Sequence, residues 1–245
     1  MKRNLLLISN STNAGEDYLA WPRLHIKAFL EKFEVRKVLF IPYAGVNLNP
    51  AGMDASFDAY SERVQSVFAE LGFELASIHR KEDPIQAVME AEAIIVGGGN
   101  TFHLVKMLHE TGLMTAIRER VLAGIPYIGW SAGANVACPS MKTTNDMPIS
   151  EPLSFSCLNL MPFQINPHYL DANPSGHAGE TREQRIQEFL TVNREVTVAG
   201  LREGCLFIIE GNKIQMQGNR SLRIFRFGQE PKELNQEDNC NFLLH

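Results

Sequence analysis

Gly129-Trp130-Ser131-Ala132-Gly133 is a G-x-S-x-G sequence lying between an apolar run at 125–128 and a stretch of small residues. This is the pattern of a nucleophile elbow, in which a strand turns sharply into a helix and presents a serine hydroxyl clear of the backbone. Small residues flank the serine because the strained turn leaves no room for side chains, and glycine adopts dihedrals that other residues resist. Three fixed positions in five recur by chance, so the pattern counts only beside the groups a serine nucleophile requires. Such a serine needs a base, and the base an orienting acid. Of seven histidines, His25, His79, His103 and His109 precede the elbow on predicted helices or strand ends, and His245 is the last residue. His168 and His177 fall in a long loop region. His168 is the candidate base, because Pro167 fixes the backbone just before it. A tetrahedral intermediate also needs preorganised N–H donors. Gly97-Gly98-Gly99-Asn100 follows an apolar strand and precedes a helix, so its backbone can approach a ligand closely and the helix start favours an anion. The run lacks the lysine and Ser/Thr of a Walker loop and the full dinucleotide fingerprint. Paired with the elbow, it reads as an oxyanion hole.

Short apolar strands alternating with helical patterns must position these groups. Residues 5–8, 37–41, 74–78, 93–96 and 127–128 are the candidate strands, with helices at 18–32, 55–71 and 101–122, the last broken near Gly112. This alternation predicts an α/β fold, a mostly parallel sheet covered by helices on both faces. Phe57, Tyr60, Val64, Val67 and Phe68 recur at three and four residues, so one face of the second helix is buried. Residues 139–178 read as a set of functional loops. A helix at about 182–190 follows, and then strands at 196–199, 206–209, 214–217 and 222–227. Glu210-Gly211-Asn212 is a hairpin turn, so the C-terminal part reads as antiparallel strands. With no repeat and no linker, residues 1–245 read as a single domain. The tail, 229–245, reads either as a packed segment or as a contact surface.

A net charge of −5 without a basic cluster disfavours a nucleic-acid partner, which requires a basic face for phosphates. Apolar runs far shorter than the roughly 20 residues needed to span a bilayer argue against a membrane partner. The start, Met1 to Asn4 and then 5–8, reads as a first strand rather than a signal peptide. Cys138, Cys157, Cys205 and Cys240 form no C-x-x-C pair and have no metal-ligand spacing with histidine, so reduced thiols in a cytoplasmic protein are expected. No histidine or acid cluster has zincin spacing, which predicts a metal-independent protein without a cofactor. Cys138 reads as a small core residue and Trp130 as packing for the elbow.

Leu7 to Thr12, Phe40-Ile41-Pro42, Ile95 to Phe102, Gly129 to Asn135, Thr143 to Pro148 and Gln164 to His168 together resemble, in order and at compatible spacing, a known group of enzymes. These are the serine peptidases of the family that contains the α-aspartyl dipeptidases and cyanophycinase. The likeness runs from the first strand through Glu203. It implies a fold related to class I glutamine amidotransferases, with serine in place of their cysteine, and hydrolysis of small peptides with N-terminal aspartate by a monomer or homodimer. It implies Ser131 as nucleophile, His168 as base, and the N–H groups of Gly99 and Ala132 as oxyanion donors. Two carboxylates fit the acid, Asp146 in Asn145-Asp146-Met147-Pro148 and Glu203 in Arg202-Glu203-Gly204. Glu203 is favoured for its place at a strand end, and the other carboxylate could meet the substrate ammonium. A fixed arginine suits an aspartyl carboxylate, which it binds as a bidentate fork. Thr181 and Gln184 have capping-box spacing, so Arg182 opens the helix on the side of Ile186 and Leu190, where it opposes the helix dipole. Arg182 is the expected clamp and Arg185 a partner of neighbouring acids. Asn100 either bonds the substrate carboxylate or caps its helix. Within the family, a cyanophycinase-like or isoaspartyl exopeptidase is the alternative activity. A non-catalytic binder of a small acidic ligand is the alternative outside catalysis.

Overall fold

The computed structural model describes every residue except Met1, Pro174, Ser175 and His177, so the second loop histidine lies outside the described residues. Five parallel strands form one side of the larger sheet, out to its edge: β1 (Asn4–Ile8), β2 (Lys37–Ile41), β3 (Glu74–Ser77), β4 (Ala93–Val96) and β5 (Pro126–Trp130). They stand in the order β3-β2-β4-β5-β1, and two antiparallel strands, β8 (Cys205–Glu210) and β9 (Lys213–Gly218), extend the β1 edge. The alternation of side chains along each strand divides the core in two. Leu6, Ile8, Phe40, Ile95 and Ile128 face one way, onto helices α1 (Arg23–Lys32) and α2 (Met53–Leu71). Leu5, Leu7, Ile41, Ile94 and Val96 face the other way, onto α3 (Pro84–Glu90), α4 (Thr101–Glu110), α5 (Leu113–Leu122) and α6 (Ala132–Val136). Gly112, at φ 72, separates α4 from α5 where the sequence predicts a break.

A second sheet runs in the order β11-β10-β7-β6, from β6 (Gln164–Tyr169), β7 (Val198–Arg202), β10 (Leu222–Phe225) and β11 (Lys232–Leu234). Helix α7 (Arg182–Val192) packs Ile186 and Leu190 against it. β6 corrects the reading of 139–178 as loops throughout. It carries Pro167 and bulges between Pro167 and Tyr169, so it lacks the clean alternation that marks a strand. Helix α3, absent from the sequence reading, starts on Pro84 and is capped by Asp83, whose carboxylate accepts from the Gln86 N–H at 2.9 Å. The C-terminal tail is packed: Leu234, Leu243 and Leu244 are buried in the main core.

A charged network stiffens the second sheet close to His168 and Glu203. Arg202, whose side chain is only 8% exposed, donates to Asp171 Oδ2 at 2.9 Å, Glu233 at 2.9 Å and Ser221 O at 2.7 Å, and lies over the Tyr169 ring. Arg223 joins Glu233 to Glu183 at 2.9 Å each. Hydrogen bonding from Arg202 is the main cause that holds the Glu233 carboxyl down at about 2, and it lowers Asp171 as well. A carboxylate with a depressed folded pKa stabilises the fold above its unfolded value and loses that contribution as pH falls through the folded one. The wild type is therefore expected to lose stability between about pH 5 and pH 2 more steeply than Glu233→Gln. Urea midpoints measured across that range test this, and parallel curves for the two proteins would count against it.

Candidate active site

The C-terminal ends of β1, β2, β4 and β5 meet at one edge of the larger sheet, which is where parallel α/β sheets place their ligands. Ser131 follows β5 directly, at φ 53 and ψ −112, a conformation that non-glycine residues seldom adopt. The turn is held from both sides. The Ser131 N–H donates to Ile8 O at 3.0 Å, and Ser131 O accepts from the N–H groups of Ala134 and Asn135. A Cβ at Gly129 would stand 2.3 Å from Gly133 O, and one at Gly133 would stand 2.1 Å from Val96 O. The glycines of the motif therefore let α6 press onto β4 and β5.

His168 reaches Ser131 from the bulge of β6. Its own φ of 53 turns the side chain out of the strand alternation. The backbone around it is pinned, because the His168 N–H donates to Ser9 Oγ at 2.9 Å, Ser9 Oγ donates to Leu201 O at 2.8 Å, and Asn145 donates to Pro167 O at 2.7 Å. His168 Nε2 lies 2.9 Å from Ser131 Oγ, and Nδ1 lies 2.7 Å from Glu203 Oε1. With Nδ1–H donating to the carboxylate, Nε2 is left to accept the serine proton. Glu203 sits in the turn between β7 and β8, where Gly204 at φ 77 reverses the chain and its N–H donates to Asn10 Oδ1 at 2.8 Å.

The structure brings Glu203, and not Asp146, to His168. Asp146 Oδ2 accepts from Thr101 N–H at 2.7 Å, from Thr101 Oγ1 at 2.6 Å and from Thr144 Oγ1 at 3.1 Å, so the carboxylate sits at the N-terminus of α4. Asn100 is placed as a cap: Oδ1 accepts from His103 N–H at 3.1 Å, and Nδ2 donates to Met147 O at 2.9 Å. Thr181 and Gln184 form the expected capping box, and Arg182 opens α7. Burial and the neighbouring Arg185 lower the Arg182 pKa, while Asp146 raises it. The charge of Asp146 is thus felt at Arg182. Arg185 pairs with Glu180 at 3.8 Å.

Gly98 and Gly99 bring the loop after β4 against the serine. A Cβ on Gly98 would lie 2.9 Å from Ser131 Cβ, and Gly99, at φ 134, has room only for hydrogen beside Ala44 O. Among the described residues, neither the Gly99 nor the Ala132 N–H finds an acceptor in the surrounding loops and caps. Both belong to the edge that presents Ser131. The sequence reading assigns Tyr60 to the buried face of α2 and nothing more. Its hydroxyl donates to Gly98 O at 2.9 Å and accepts from Trp130 Nε1 at 3.0 Å, tying the glycine loop to the elbow. Ser9 and Asn10 also escape that reading. Their signal is a polar run placed at the end of a fully buried central strand.

Cys138 is buried, its Sγ accepts from Ile165 N–H, and burial pushes its thiol up to about 12, so it is no nucleophile. His79 lies between Ser77 and Asp58, His103 is bonded to Tyr43 O and His109 to Ser156 O, all apart from Ser131. No helix is long and apolar enough to cross a membrane among the described residues.

Residues 5–217 match the model of peptidase family S51. A peptidase E of Nostoc sp. is 51% identical over 244 residues, covering 100% of this chain and 98% of that protein. A peptidase E of Streptomyces coelicolor is 47% identical over 242 residues, covering 98% and 95%. The crystal structure of a peptidase from an acI-B1 Actinobacterium superposes with a TM-score of 0.70 over 97% of this chain and 96% of that one. At 17% identity, it speaks for the fold alone.

Proposed function

The chain belongs to peptidase family S51, and from that premise we propose that it is a serine dipeptidase that hydrolyses dipeptides with an N-terminal aspartate. The observation that carries the reading is the line from Ser131 Oγ through His168 to Glu203, at 2.9 and 2.7 Å. His168 takes the proton of Ser131, whose oxygen attacks the carbonyl carbon of the aspartyl residue. Negative charge then develops on the carbonyl oxygen, and the Gly99 and Ala132 N–H groups receive it without reorganising. Protonated His168 passes its proton to the leaving amine, and the C–N bond breaks. Water attacks the acyl-enzyme by the same route, with His168 again as base. Glu203 holds the imidazole in its productive tautomer and stabilises its charged form. The strained dihedrals of Ser131 and His168 serve this geometry, because both aim a side chain where regular backbone would not.

Arg182 is the proposed partner of the aspartyl carboxylate. Its half-buried guanidinium favours a carboxylate over a carboxamide, which offers no charge to offset the burial. Asp146, the carboxylate not engaged by His168, is the proposed partner of the substrate ammonium. Arg182→Ala is expected to lower kcat/KM for Asp-Leu by about a hundredfold or more while Asn-Leu, already poor, changes little. Thermal unfolding should move only slightly, because a cation at a helix start opposes the helix dipole. An equal loss on both peptides, or a large fall in the unfolding midpoint, would remove Arg182 from the specificity site. The substrates are small peptides, and the four buried free thiols suit a cytoplasmic protein; the family resemblance alone suggests a monomer or homodimer. Release of free aspartate from Asp-Leu, with Asn-Leu and β-Asp-Leu as controls, tests the activity. Turnover of β-Asp-Leu alone would replace it by an isoaspartyl one.

A further inference from the structure

Beside Ser131 and His168 opens a cleft of about 430 Å³, walled by Tyr18, the loop 44–48 and the glycines after β4. Among its lining residues, Arg63 is the sole side chain with a permanent charge, and no carboxylate lines it. Arg182 and Asp146 are not part of this lining. Arg63 stands on α2 one turn beyond Tyr60, so the two side chains share a helix face. Its guanidinium lies over the Tyr18 ring, 5.6 Å from the centroid. The Tyr18 hydroxyl is hydrogen-bonded to Tyr60, which in turn holds Gly98 O. The platform under Arg63 is thereby fixed to the loop that carries the Gly99 N–H. Arg63 makes no ion pair among the described residues, so its charge is free for a ligand.

We propose that Arg63 is a specificity-determining residue that receives the C-terminal carboxylate of the departing residue. This rests on the dipeptidase reading above. An Asp-X dipeptide carries three charges: an ammonium, the aspartyl side-chain carboxylate and the terminal carboxylate. The side-chain carboxylate goes to Arg182, outside the cleft. The departing residue must lie beside His168, which protonates its nitrogen, and His168 lines the cleft together with Ser131. A cleft holding one arginine and no acid repels the ammonium and attracts the terminal carboxylate. In a longer peptide an amide stands at that point and meets no charge complement. Arg63 thus gives the site its preference for dipeptides.

The test compares Asp-Leu with Asp-Leu-NH2 for the wild type, Arg63→Gln and Arg63→Lys. The wild type is expected to favour the free carboxylate by about tenfold or more in kcat/KM, mainly through KM, and less so as salt is raised. Arg63→Gln should close that gap by lowering Asp-Leu to the level of the amide, and Arg63→Lys should keep part of it. The preference for Asp-Leu over Asn-Leu should survive both changes. Equal losses on Asp-Leu and Asp-Leu-NH2, or loss of the Asp over Asn preference, would overturn the Arg63 assignment and leave the dipeptidase reading intact. No turnover of either peptide by the folded wild type would instead remove the dipeptidase reading, and the Arg63 assignment with it.

Discussion

Alanine at Ser131 is expected to lower kcat for Asp-Leu by about 10⁴-fold or more without a matching loss of stability. The effect is large because the serine oxygen is the atom that forms the acyl-enzyme, and no neighbouring group can replace it. Cys138, the nearest candidate by sequence, is buried, with its thiol pushed up to about 12. The background that remains comes from the N–H groups of Gly99 and Ala132 and from substrate binding, which survive the change. Stability should hold for a separate reason. The strain of the elbow lies in the backbone of residue 131, at φ 53, and alanine bears the same strain with one atom fewer. Aspartate release and thermal unfolding measured on the same preparation, without added metal, read both quantities. Retention of more than about a hundredth of the wild-type rate would place the nucleophile elsewhere.

How much of this site is legible before folding depends on what each residue answers to. The elbow is legible because its close approaches are written as residue types at fixed spacing: Gly129 and Gly133 have no room for a Cβ, and Ser131 must sit between them. Gly97 to Gly99 are legible for the same reason, as a loop that presses on the serine on one side and on Ala44 on the other. The parallel core is legible through its apolar runs and the helices between them. β6 is not, since a strand that contains proline, bulges at His168 and is paired on one side only offers no periodic signal. His168 is found through its motif, while the bulge that aims it is not. Tyr60 and Arg63 are hidden differently. On α2 they follow an ordinary amphipathic pattern, and their importance arises only when the Gly98 carbonyl and the cleft are brought to that face. Ser9 and Asn10 depend on partners at 168, 201 and 204, far along the chain. Asp146 shows the limit of motif reading, because a motif reports that a carboxylate is required but not which group it serves.

Glu203→Gln is expected to lower kcat for Asp-Leu by about 10³- to 10⁴-fold, the loss that follows when an amide replaces the orienting acid of such a triad. The glutamine can present a donor to Nδ1, which favours the tautomer with its proton on Nε2, and that form cannot accept from Ser131. It also removes the charge that steadies the imidazolium formed during each half of the reaction. The fold should tolerate the change. Glu203 is partly exposed, and the turn around it is held by Gly204 N–H on Asn10 and by the neighbouring Arg202 network, neither of which uses the Glu203 carboxylate. Asp146→Asn should behave differently. Its carboxylate accepts from the start of α4, its charge is felt at Arg182, and it makes neither of the two imidazole hydrogen bonds. An asparagine oxygen can still accept from Thr101, so the helix start survives. The loss should fall on KM, as binding of the substrate ammonium weakens and Arg182 is left without its nearby anion. The two variants are therefore separated by which constant changes as well as by how far. A fall in kcat of similar size for both would mean that the acid of the triad is shared or exchanged during turnover. A larger fall for Asp146→Asn would move the orienting role to Asp146 and leave the 2.7 Å contact between Glu203 and His168 without a catalytic part.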